Sequence, residues 1–121
     1  YNEALVFNGG IAKLNDVDLD QVDGTGLDCS GNAEVSIEGL VIKRTVRGIE
    51  LSEGAVIDWK GGSIEASDEG VVVKKVNLRH GPVKAVIEGV AIDADGEPMR
   101  IAQGNSVSGS SVPAVAKAQV P

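Results

Sequence analysis

The residues best suited to chemistry are few and lie in two short stretches. The first is Lys74–Pro82, "KKVNLRHGP", which holds the only histidine and three of the eleven Lys and Arg residues in a chain of net charge −7. Lys74, Lys75, Arg79 and His80 could meet an acidic face of a neighbouring subunit or an anionic polysaccharide. The other reading is a solvated loop in which Val76 or Leu78 tucks back onto the body. The second stretch is "DVDLDQVDG", residues 16–24. Asp16, Asp18 and Asp20 alternate like the first three oxygen donors of a calcium loop. That pattern wants Gly at its sixth position and Glu at its twelfth, where this chain has Gln21 and Leu27. Alternating aspartates on a strand that faces water explain the stretch equally well.

Other site chemistry finds little support. A lone His80 excludes a multi-histidine metal site within one chain. There is no glycine-rich phosphate loop between a strand and a helix, and no nucleophile elbow. Asp28, Glu50 and Asp58, with Lys13, Lys84 and Arg100, show no converging acid–base constellation in the sequence. Cys29 is the sole cysteine, so no internal disulfide can form. The acidic balance disfavours nucleic acid, which calls for a concentrated basic surface. No apolar run approaches the roughly 20 residues needed to span a bilayer.

The elements that carry these residues follow from a repeat. Leu5, Leu27, Ile49 and Val71 fall 22 residues apart, and Met99 follows 28 later. Phe7, Cys29, Leu51, Val73 and Ile101 repeat the spacing two positions on. The residues before the first column, Ala4, Gly26, Gly48, Gly70 and Pro98, read as a turn-type set in four of the five copies. A second set opens at Leu14, Ile37, Trp59 and Ile87 and closes at Leu19, Ile42, Ile64 and Ile92. Asp16, Gly39, Gly61 and Gly89 lie between, where a tight bend wants such residues. A third column is Ala12, Val35, Ile57 and Ala85.

Abundant Val and Ile with sixteen Gly favour strands over helices. Strands this short cannot bury an apolar face within one period, so successive periods must stack. In-register parallel stacking at about 4.8 Å turns each column into a ladder. The expected fold is therefore all-β, a short parallel β-helix of about 22-residue coils, roughly four to five in number. On its "G-I-x-L" strand and 22-residue coil, the chain resembles the right-handed parallel β-helix proteins of the pectate-lyase-like superfamily, over about residues 4–104. The resemblance implies right-handed coiling. It implies no single function, because that superfamily includes polysaccharide lyases, hydrolases, epimerases, tailspikes, adhesins and surface proteins.

The register places Asn15, Glu38, Lys60 and Glu88 in one outward column and Asp20, Lys43, Glu65 and Asp93 in another. In the second, Lys43 is expected to pair with the acids on either side. Asp28 and Glu50 stack as like charges, read as two solvated carboxylates. Cys29 is expected buried and inert, and Trp59 inward between Ile37 and Ile87. That leaves Tyr1 as the only surface aromatic and weakens a sugar-platform reading.

Residues 1–104 read as the β-helix domain. Residues 105–121 read as a Ser/Gly linker with a C-terminal tail that caps the last coil, is donated as a strand, or is disordered. Six extra residues within 74–83 lengthen one period to 28, so the basic stretch is an inserted loop. About four residues precede Leu5, too few to cover the first coil, and Leu5 and Phe7 are expected at an open end. A start at Tyr1 is expected for a processed chain or a piece of a longer one. The functional expectation is a structural or adhesive module of an extracellular or cell-surface assembly. It would self-associate by coil-end stacking or strand donation, with a second copy or a neighbouring domain as partner. The alternative is a fragment of a polysaccharide-active enzyme or a phage tailspike.

Overall fold

The computed structural model describes residues 3–20, 24–76 and 78–109. Tyr1, Asn77 and residues 110–121 lie outside the described residues, and with them most of the expected tail. Nine strands form among the described residues: β1 (Glu3–Asn8), β2 (Ile11–Asn15), β3 (Asp18–Asp20), β4 (Thr25–Ser30), β5 (Glu34–Leu51), β6 (Val56–Val73), β7 (Lys84–Ala94), β8 (Met99–Ile101) and β9 (Ser106–Ser108). Every pairing between them is parallel. The chain is a parallel β-solenoid of about five coils, with no helix among the described residues.

The ladders join the residues that the repeat aligns. Leu5 pairs with Leu27, Leu27 with Ile49, Ile49 with Val71 and Val71 with Met99. Leu14, Ile37, Trp59 and Ile87 form a second continuous ladder. Alternation decides the core: Leu27, Cys29, Ile37, Ile49, Leu51 and Trp59 are closed to solvent. The Trp59 indole N–H donates to the Gly61 carbonyl at 2.9 Å, which satisfies the one polar atom of the largest buried side chain.

Two glycine columns serve opposite purposes. Gly39, Gly61 and Gly89 have φ of +74°, +74° and +65°, and Asp16 in the same column has +52°. This column is a left-handed bend in each coil, where Gly costs nothing and Asp is among the more tolerant side chains. Gly26, Gly48 and Gly70, by contrast, are not turn residues. They lie within β4, β5 and β6, packed against the next coil. A Cβ at Gly48 would sit 2.5 Å from the Gly70 carbonyl oxygen and 2.6 Å from Ile64 Cγ2. These positions demand glycine because there is no room for a side chain.

The expected linker differs too. Ser106–Ser108 is a strand of the solenoid, with Lys84 paired to Ser106, Ala85 to Val107 and Val86 to Ser108. The reason is Val107, which continues the Ala12–Val35–Ile57–Ala85 column 22 residues past Ala85. Asn105 anchors the turn before it: its amide donates to the Lys74 and Ala102 carbonyls at 2.9 and 3.0 Å, and its Oδ1 accepts from Val83 N–H at 2.8 Å.

Candidate functional site

The outward faces of β4, β5, β6 and β8 carry a compact ion network. Alternation puts Asp28, Glu50, Val72 and Arg100 in one outward ladder, while Thr25, Arg47 and Glu69 form a ladder two positions before the inward Leu27, Ile49 and Val71. Glu50 and Glu69 are each only 8% exposed. Burying carboxylates this far requires compensating donors. Glu50 receives Arg47 Nη1 at 2.6 Å and the Thr25 hydroxyl at 3.3 Å, with Lys74 Nζ at 3.4 Å. Glu69 receives Arg100 through two nitrogens, one at 3.1 Å, and Arg47 Nε at 3.3 Å. Burial pushes the Glu50 carboxyl up, but the Arg47 hydrogen bond and the charges of Lys74 and Arg47 outweigh it and hold it below the ordinary 4.5.

Beside this network is a hollow of about 660 Å³. Its floor is apolar, from Val72, Val73, Ile101 and Ala102. Its rim is Lys74, Lys75 and Arg100, with Glu97 as the one acid. Lys74 and Arg100 also belong to the ion network, whereas Lys75 makes no hydrogen bond or ion pair among the described residues.

The inserted loop is tied down at both ends. Lys74 N–H bonds the Leu51 carbonyl at 2.9 Å, as a regular coil residue would. At the far end His80 reaches back to the corner of the second coil. The Asn32 amide donates to the His80 carbonyl at 2.9 Å, and His80 Nδ1 lies 2.7 Å from Asn32 Oδ1. The four basic residues are therefore split: Lys74 and Lys75 face the hollow, while His80, with Arg79 beside it in sequence, follows the loop to Asn32. Val76 is half-buried, and its Cγ2 closes the space a Cβ at Gly104 would need; Leu78 is 100% exposed.

No family model, curated protein or solved structure matches this chain.

Asp16, Asp18 and Asp20 stay exposed on the first coil. Asp20 spends both oxygens on Arg44, at 2.8 and 2.5 Å, and Asp16 occupies the left-handed bend. Among the described residues, no group of three or more His, Cys, Asp or Glu is placed to hold a metal ion. Cys29 is closed to solvent, and burial, aided by the Asp28 charge, pushes its thiol up to about 12. It remains a protonated core side chain at neutral pH.

Two charge assignments change. Asp20 pairs with Arg44 instead of Lys43, because Arg44 sits at φ +52° in an irregularity of the β5–β6 register that swings it outward. Glu50 is not a solvated carboxylate beside Asp28 but the centre of the ion network. The sequence did hold a signal for that network. Arg47 and Glu69 occupy the position two before the first apolar column, where alternation calls for an inward apolar residue, so charge there marks a departure from the regular strand.

Proposed function

We propose that this chain is a structural β-solenoid module that associates by stacking coil ends in an extracellular or cell-surface assembly. The observation that carries the reading is the first coil. Leu5, Phe7, Leu14 and Leu19 head the ladders whose next members, Leu27, Cys29, Ile37 and Ile42, are all but closed to solvent, yet they themselves are only half-buried. Among the described residues, β1, β2 and β3 each pair on one side only. Unpaired strand edges above apolar side chains favour a further coil. A second copy supplies one of the right shape, and a head-to-tail contact need not close. The cell-surface placement rests on the resemblance to β-helix proteins.

The ion network supports the structural reading over the fragment of a polysaccharide-active enzyme or tailspike. Each oxygen of Glu50 and Glu69 already accepts from a cation or hydroxyl. Carboxylates so engaged fix strands together and have no free oxygen with which to exchange a proton with substrate.

Sedimentation velocity on the full chain across a concentration series tests the proposal. The expected result is concentration-dependent growth that Leu5→Asp abolishes while strand content by circular dichroism is kept. Unchanged association in Leu5→Asp, or no association at any concentration, would overturn it.

A further inference from the structure

We infer that the hollow beside β8 is a docking site for an acidic, extended segment of a partner protein. The hollow adjoins β8, the last strand of its ladder among the described residues, so an occupant there would compete with a copy stacked on that end. Three observations meet there.

The first is the charge of the rim. Three cations and one acid surround the hollow in a chain whose net charge is −7. Lys75 is the cation with no hydrogen bond or ion pair among the described residues. It is left to receive an anion from outside.

The second is the apolar floor. Val72, Ile101 and Ala102 offer space of about 660 Å³, within the roughly 300–1,000 Å³ range of sites that take a substantial ligand. Such a floor takes an apolar side chain. A nucleic acid or acidic polysaccharide brings charge but no such side chain, and a long polyanion is repelled by the rest of this surface.

The third is the strand edge. Among the described residues, β8 pairs with β6 alone, so its other side offers backbone groups to an added strand. Strand addition gives affinity through the main chain and specificity through pockets for alternate side chains. In the present ladder the outward position runs Asp28, Glu50, Val72, Arg100, so a carboxylate on an added strand would fall opposite the Arg100 guanidinium. The occupant is a segment in which acidic and apolar residues alternate, its apolar side chain in the hollow and its carboxylates on Lys75 and Arg100.

The test is fluorescence anisotropy with the full chain and a dye-labelled Glu-Leu-Glu-Val-Glu peptide, with Lys-Leu-Lys-Val-Lys as control. The acidic peptide is expected to bind, with affinity falling as salt is added, and the basic peptide is not. Lys75→Glu, at an exposed position that leaves the fold intact, should weaken binding at least about tenfold. Ala102→Trp, which fills the hollow, should do the same; circular dichroism shows whether that variant remains folded. Leu5→Asp, which removes stacked copies from the β8 end, should bind the peptide at least as tightly as the unmodified chain. Failure to bind at millimolar peptide, or equal affinity in Lys75→Glu, would overturn the inference. So would displacement of the peptide by an acidic polysaccharide at equal charge, or self-association abolished by Lys75→Glu, which would assign the hollow to those occupants instead.

Discussion

Glu50 shows how much a single outward side chain can matter in a solenoid. Its carboxylate is nearly buried, and Arg47 is its closest partner. Its folded-state pKa lies below the ordinary 4.5, so in acid the unfolded chain takes up the proton first. The stability it contributes is present above pH 4.5 and is lost as the pH falls through its lower folded value. Urea unfolding of Glu50→Gln is expected to show a loss of about 1–3 kcal/mol at pH 7 and a shallower decline below pH 4.5 than the unmodified chain. Arg47→Ala should cost more, about 3 kcal/mol, because it strips donors from both Glu50 and Glu69. An unchanged pH profile in Glu50→Gln would contradict this role. The alternation of the strands tells which residues face outward, so the columns of Asp28, Glu50 and Arg100 could be read in advance. What could not be read is that Arg47 leans across two coils to join carboxylates at different ladder positions, because side-chain reach is not encoded in spacing.

The strands and bends were the most legible part. The apolar columns became ladders because a one-residue slip would turn the apolar set outward, which fixes register strongly. The outward column, by contrast, breaks between Lys43 and Glu65, where the register of β5 on β6 shifts. The glycines were half legible. Repetition marked both columns as special but did not separate need for a left-handed backbone from need for space. That distinction gives a paired expectation. Gly48→Ala places a methyl against the Gly70 carbonyl oxygen and Ile64, and should destabilise by about 1–3 kcal/mol through overpacking. Gly61→Ala meets nothing within 4 Å and suffers only its φ of +74°, about 1–2 kcal/mol. Gly61→Asn should recover part of that loss, whereas Gly48→Asn should be worse than Gly48→Ala. Thermal melts of the four variants decide it, and a Gly48→Asn no worse than Gly48→Ala would contradict the steric account. The inserted loop shows the limit of the repeat as a guide. Its length and place follow from the 28-residue period, but its folding back onto Asn32 depends on a contact 48 residues away in sequence. The strand at Ser106–Ser108 was hidden because serine and glycine dominate its surroundings, and only Val107 marks the continuing column.

The assembled chain is a short stack whose inner ladders are closed in the middle and half open at the first coil. Asp16 and Asp18 lie exposed on the first coil, while Lys74, Lys75 and Arg100 gather beside the last two. The claim on which the functional account turns is that coils continue from one copy to the next. Electron microscopy of the full chain at high concentration tests it most directly. Five coils at about 4.8 Å each predict unbranched filaments with an axial rise near 24 Å per subunit. Monodisperse single particles at every concentration, or closed oligomers without that axial repeat, would contradict it.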